Sequence, residues 1–151
     1  NDVNTELDND KVVQSDRTEE YAKETIENTF KIKTPRFFYL PQGVEYHDFF
    51  IDDTAQTAFI QYAYNGQMMY LQIFANEENA SGIVQSDNGK LLGEIVNDFS
   101  NDIKIQIWEV NVDEDEKITY IAKWKYLNTY YELSGKIDRE ELEKIVKKIM
   151  Y

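Results

Sequence analysis

The residues able to do chemistry are few and scattered. His47 is the single histidine, and it stands beside Asp48 in a run from Val44 to Ile51 that can form a strand. An acid–base role or a shared metal needs a second group held close by, and there is no second histidine. Asp48, Asp52 and Asp53 could supply an acid and a base, but nothing in the sequence sets a partner carboxylate across a cleft from them. Asp113-Glu114-Asp115-Glu116 could meet calcium, yet it lacks the spaced oxygen ligands and the glycine of a calcium loop, so it reads as a solvated turn. Asn79-Ala80-Ser81 fits the glycosylation triplet. There is no Gly-x-Ser-x-Gly elbow and no glycine-rich phosphate loop. The chain has no cysteine, which removes disulfides, thiol catalysis and thiolate-bound zinc. The expectation is a protein that is not an enzyme, with no catalytic residue, no cofactor-binding residue and no metal ligand.

The stretch with the strongest local signal is Thr57 to Ala75. Two β-rich runs flank Asn65-Gly66, and such a two-residue turn fixes register. Tyr64 then faces Gln67, Tyr62 faces Met69, Ile60 faces Leu71 and Ala58 faces Ile73. Side chains alternate along a strand, so the other face pairs Ala63 with Met68, Gln61 with Tyr70, Phe59 with Gln72 and Thr57 with Phe74. That second face is rich in aromatic rings, which is unusual for a surface left in water. Phe59, Tyr70, Phe74, Trp108 and Tyr130 are the candidate groove residues, with Met68 beside them.

Length and composition bound the rest. A chain of 151 residues suggests one domain, placed at 16–151 after a polar lead-in or tether at 1–15. Hydrophobic residues at 42% and charged residues at 30% indicate a folded chain. The formal net charge of −13 opposes binding to nucleic acid and to anionic lipid. No window approaches the about 18 apolar residues of a membrane span, so direct insertion is not expected. The sequence opens on Asn1, and any signal peptide or lipid anchor would lie upstream of it. A monomer is expected.

Asp16 and Glu19 have the spacing of a capping box, and Tyr21, Ala22, Thr25, Ile26, Thr29 and Phe30 recur at helical spacing. The pattern predicts a helix from about Arg17 to Lys31, ended by Thr34-Pro35. Leu40-Pro41-Gln42-Gly43 is a turn. Residues 76–89 read as a long connection, and Leu91 to Phe99 as a weak strand interrupted by Gly93. Ile103 to Val112 is a strong strand, and Lys117 to Tyr126 another. A turn at Leu127-Asn128 would set Trp124 opposite Tyr131, Ala122 opposite Leu133 and Lys123 opposite Glu132. Asp138 and Glu141 suggest a second box, before an amphipathic helix through Leu142, Ile145, Val146, Ile149 and Met150. The fold class is α+β: an antiparallel meander of about seven strands flanked by an N-terminal and a C-terminal helix. The C-terminal helix should take the face of Ile60, Leu71, Ile105 and Trp124. The N-terminal helix should cover the aromatic face only in part, leaving a shallow groove suited to a neutral or cationic partner.

Two segments together resemble a known family. One is the helix end Phe30-Lys31-Ile32 followed by Pro35 and Leu40-Pro41-Gln42-Gly43-Val44. The other runs from Trp124 through Tyr130-Tyr131-Glu132-Leu133-Ser134-Gly135 to Ile137-Asp138-Arg139-Glu140-Glu141-Leu142-Glu143-Lys144-Ile145. With Ile60-Gln61-Tyr62 and Leu71-Gln72-Ile73, they resemble the bacterial domain of unknown function DUF4367 over roughly residues 22–149; residues 76–99 match it poorly. The resemblance implies an extracytoplasmic domain of Gram-positive membrane-anchored proteins and lipoproteins, some of them anti-sigma-factor-like. It also implies a curved sheet similar to lipoprotein-carrier-like sensor domains. It carries no catalytic residues. The functional expectation is a non-catalytic extracytoplasmic interaction or sensing module, tethered upstream, whose partner is a protein or an apolar ligand. The alternative is a carrier holding a hydrophobic ligand on the concave face of the sheet.

Overall fold

In the computed structural model, which describes residues 18–76, 89–111 and 118–151, Asn65 and Gly66 take φ of 51° and 73°. Two successive positive φ values are what a type I′ turn demands, and the turn's twist matches that of the strands it joins. Strands β3 (Thr57–Tyr64) and β4 (Gln67–Phe74) pair through the whole expected register, from Tyr64–Gln67 to Thr57–Phe74. The second short turn also forms. Leu127 adopts φ of 55°, and β7 (Ile118–Tyr126) pairs with β8 (Thr129–Gly135) through Trp124–Tyr131, Lys123–Glu132 and Ala122–Leu133.

Strands β2 (Glu45–Asp52), β5 (Gly89–Val96) and β6 (Lys104–Asn111) complete one seven-stranded sheet in the order β2-β3-β4-β8-β7-β6-β5, every neighbour antiparallel. The meander therefore comes as two halves. β2-β3-β4 runs inward from one edge and β5-β6-β7-β8 runs inward from the other, and the two meet where β4 pairs with β8. The connection at 77–88 and the charged loop at 113–116 lie outside the described residues. Gly93 marks a bulge in β5 rather than a break, and β2 has its own irregularity between Tyr46 and Asp48.

Helix α1 (Glu19–Phe30) and helix α2 (Arg139–Lys147) pack on the same face of the sheet. Ile26 of α1 and Leu142, Ile145 and Val146 of α2 join one core with Ile60, Leu71, Leu133, Ala122, Ile107 and Ile105. The expectation that α1 would lie over the aromatic face is corrected. The reason is covalent reach: β1 (Arg36–Phe37), soon after α1, pairs with β9 (Ile149–Met150), directly after α2. That ladder holds both helices in one layer. Tyr21 also meets Phe49 edge to face at 6.0 Å, on the core side of β2.

Two helix boundaries and one cap contact differ from the sequence reading. The N-cap of α1 is Thr18, whose hydroxyl accepts from the Tyr21 N–H at 3.1 Å, instead of Asp16. Asp138 occupies the N-cap of α2 without a side-chain bond, and Glu141, instead of reaching back to the cap, accepts from the Tyr39 hydroxyl at 2.8 Å. α2 stops at Lys147. Ile149 is fully buried but in strand β9, and Met150 is exposed. Helical spacing placed Ile149 and Met150 in the helix because its period continues for one apolar residue past the last helical turn.

The end of α2 is held by Asn97. Its side-chain amide donates to the carbonyls of Val146, Lys147 and Ile149 at 3.0–3.1 Å, and its Oδ1 accepts from the N–H groups of Phe99 and Ser100 at 2.9 and 3.0 Å. Carbonyls at a helix C-terminus have no intrahelical partner, and burying them unpaired is costly. Asn97→Asp puts an acceptor where three carbonyls need a donor. It should destabilise the domain by about 1–3 kcal/mol or more, measured by urea denaturation, and more than Asn97→Ser. A loss within error of zero would mean that water replaces this contact freely.

Tyrosines close the layer between the helices and the sheet. Tyr62 donates to Glu19 Oε2 at 2.5 Å, Tyr131 donates to the Lys33 carbonyl, and Tyr151 accepts from the Trp124 indole N–H at 2.8 Å while stacking on Tyr126. Burial pushes the phenols of Tyr62, Tyr131 and Tyr151 well above the usual 10.0. A folded pKa above the unfolded one means stability that is whole below pH 10 and lost as pH rises beyond it. Absorbance of tyrosinate should therefore show these rings titrating only together with loss of near-ultraviolet dichroism. Smooth ionisation of all tyrosines near pH 10 in a still-folded protein would contradict it.

Candidate binding face

The face of the sheet away from the helices carries every candidate groove residue. Its cross-strand rows can be followed from edge to edge. One row reads Asp48, Gln61, Tyr70, Ser134, Ile121, Trp108, Leu91. The next reads Phe50, Phe59, Gln72, Glu132, Lys123, Gln106, Glu94. The third begins Asp52, Thr57, Phe74, Tyr130, Lys125. A period of two along each strand puts these residues on one side and the core on the other. Neither helix packs on this side.

The five candidates do not share one environment. Tyr70 is 36% exposed, and Phe59, Trp108 and Tyr130 are half-buried, whereas Phe74 is only 1% exposed and drops out as a surface that a ligand could touch. Phe59 meets Tyr70 edge to face at 6.2 Å. On its other side it stacks on Phe50, with centroids 4.9 Å apart and planes 27° apart. Phe50, 47% exposed, is the residue that sequence reasoning missed. Its signal was the alternation Asp48-Phe49-Phe50-Ile51-Asp52, which assigns Phe49 to one face and Phe50 to the other once the register of β2 on β3 is known. Trp108 and Tyr130 lie in the other half of the face. Their rings carry Lys123 and Lys125 at 4.8 and 5.5 Å, so the two halves do not form one groove.

The centre of the face is polar. Lys123 and Glu132 approach to 3.8 Å with side chains 7% and 11% exposed. Trp108 donates its indole N–H to Gln106 at 3.0 Å. Two depressions flank this centre. One, of about 430 Å³, is lined by Gln67, Met68, Tyr70, Thr119, Ser134, Gly135 and Lys136. It opens where β8 ends at Gly135. A side chain there would have its Cβ 3.2 Å from the Met68 carbonyl and Met69 Cα, so glycine lets β8 leave the sheet at close quarters with β4. The other, of about 210 Å³, lies among Glu94, Lys104, Gln106, Lys123, Lys125 and Tyr130.

The polar residues weighed for catalysis sit apart from both depressions. His47 is exposed at the irregular position of edge strand β2. Asp48 Oδ1 accepts from the Phe49 N–H at 2.8 Å, and Asp52 Oδ1 accepts from the Ala55 N–H at 3.0 Å. Asp53 lies exposed in the turn after β2. Among the described residues, no three His, Asp or Glu side chains converge as metal ligands. Asn79 and Ser81 lie outside the described residues.

A buried ion pair contributes little net stability when whole, but removing one partner leaves a charge in low dielectric. Lys123→Ala should cost about 3–5 kcal/mol in denaturant melts, while Lys123→Met with Glu132→Leu should recover most of that loss. Equal losses in the single and double variants would show that this pair is not what holds the centre of the face.

No curated protein and no solved structure matches the chain. A family model does, over residues 34–149, which takes in β1 through the first residue of β9. Helix α1 precedes the matched range, yet its Ile26 is fully buried in the common core. With more than half of its length matched, this chain belongs to the domain of unknown function family DUF4367.

Proposed function

We propose that this domain is a non-catalytic interaction or sensing module, held outside the cytoplasm by a segment upstream of Asn1, that offers to a partner the face of its sheet opposite the two described helices. The observation that carries the reading is one-sided layering. Both helices are spent on the aliphatic face, while Phe50, Phe59 and Tyr70 form a linked aromatic strip on the other. An antiparallel sheet normally leaves a polar face to water, and clustered exposed rings mark contact surfaces. The alternative, a carrier for a hydrophobic ligand on the concave face of the sheet, is less well supported, because the helix-covered side leaves no room for one. That side is filled by Ile60, Leu71, Ile73, Leu133 and Ile107, all at 0% exposure.

The test uses the full-length protein in the cells that make it. A photo-cross-linking amino acid placed at Tyr70 should give adducts in intact cells, and one placed at Glu140, exposed to solvent on α2, should give few. A membrane-impermeant lysine reagent should label the same intact cells. Labelling only after lysis would overturn the location, and equal cross-linking at both positions would overturn the choice of face.

A further inference from the structure

We infer that the Phe50–Phe59–Tyr70 end of this face receives an extended, basic segment of a partner protein, its cation over Phe50 between Asp48 and Asp52 and an apolar side chain in the depression beside Tyr70. This rests on the interaction-module reading and names the chemistry of the partner.

The first ground is the arrangement on β2. Residues 48, 50 and 52 point to one side of the strand, so an exposed ring stands between two carboxylates. Each carboxylate accepts one backbone N–H through Oδ1, at 2.8 Å for Asp48 and 3.0 Å for Asp52, and no described cation pairs with either. Lone pairs remain for an incoming donor. A guanidinium or ammonium over an aromatic face gains from the ring quadrupole, and flanking carboxylates add charge-assisted hydrogen bonds. Phe59 and Tyr70 continue the strip as stacked and edge-to-face neighbours.

The second ground is polarity along the strip. At its far end the depression is lined by Met68, Tyr70, Thr119 and Lys136. Lys136 opposes a second cation there, and the mixture of thioether, ring and methyl groups suits an aliphatic side chain. From β2 to the depression is three strand spacings, about 14 Å at about 4.8 Å each, and about 10 Å along the strands, because Tyr70 and Met68 lie beyond Gln72 in the row of Phe50, so the separation is about 18 Å. Extended chain rises about 3.4 Å per residue, so the cation and the apolar group lie about six residues apart, on the same side of a strand. The chain's formal charge of −13 favours approach of a basic segment and disfavours an acidic one.

The test is an NMR titration of the whole labelled domain with three blocked peptides on a threonine background. The first has arginine and leucine six positions apart. The second has glutamate for the arginine, and the third has alanine for the leucine. The first should shift the Phe50, Phe59 and Tyr70 resonances, and its affinity should fall as salt is raised. The other two should bind at least about ten-fold more weakly, the loss expected for one charge-assisted contact or one buried aliphatic group. Asp48→Asn with Asp52→Asn keeps both Oδ1 acceptors and so the fold. This variant should weaken the first peptide by about ten-fold as well.

Several results would overturn the inference. One is a glutamate peptide that binds as tightly as the arginine peptide. Another is an Asp-to-Asn pair with unchanged affinity, or arginine-peptide shifts that map to Glu19, Glu20 and Glu24 on α1. In each case cross-linking at Tyr70 would still stand and the face would belong to a partner of other chemistry. Silence from all three peptides together with no cross-linking at Tyr70 would remove both readings.

Discussion

Asn97 is the contact on which the arrangement of layers depends. One carboxamide satisfies the carbonyls of Val146 and Lys147 at the end of α2, that of Ile149 in β9, and two N–H groups of the β5–β6 turn. Asparagine alone combines two donor hydrogens and an acceptor oxygen at this length; aspartate has no donor and glutamine is a methylene too long. Around it, the Asp98 N–H donates to the Lys147 carbonyl, and the Asp98 carboxylate holds Lys148 at 2.8 Å. The Phe38 N–H donates to the Lys148 carbonyl. The helix end, the far edge of the sheet and the segment after α1 are thus bound at one point.

That point decides which side of the sheet is covered. Because β9 leaves α2 directly and pairs with β1, the chain following α1 is tied to the same side. Once both helices share a layer, the core closes over Ile60, Leu71 and Leu133, and the rows containing Phe50, Phe59, Tyr70 and Trp108 lie on the side that neither described helix covers. The availability of the aromatic strip follows from how the helices are tied. It is not a property of the strip's own composition.

The face opposite the described helices divides along its length. Near β2 it joins rings with carboxylates that no described cation pairs; toward β6 it joins rings with lysines, and the Lys123–Glu132 pair stands between. A face with both signs of charge and with aromatic area is selective about orientation. Like charges brought together cost more than the rings return, whereas complementary ones steer a partner into register. Phe74 contributes to the packing of this face and nothing to its accessible surface.

The sequence by itself determined the local geometry. Asn65-Gly66 dictated the β3–β4 register through the φ values that only such residues take readily, and the alternation of Ile103, Ile105 and Ile107 named the buried side of β6. The pairing of Lys123 with Glu132 was legible for the same reason, since a two-residue turn counts outward without ambiguity. Contacts distant in sequence were not legible. That β4 pairs with β8 and not with β5, that Thr18 caps α1, and that Glu141 serves Tyr39 instead of its own helix were settled only when distant groups met. The placement of α1 was decided in the same way. Its thin stripe of Ala22 and Ile26 is compatible with either face of the sheet, and hydrophobic burial has no direction of its own. The β1–β9 ladder and the hydrogen bonds of Asn97 are directional, and they chose the face.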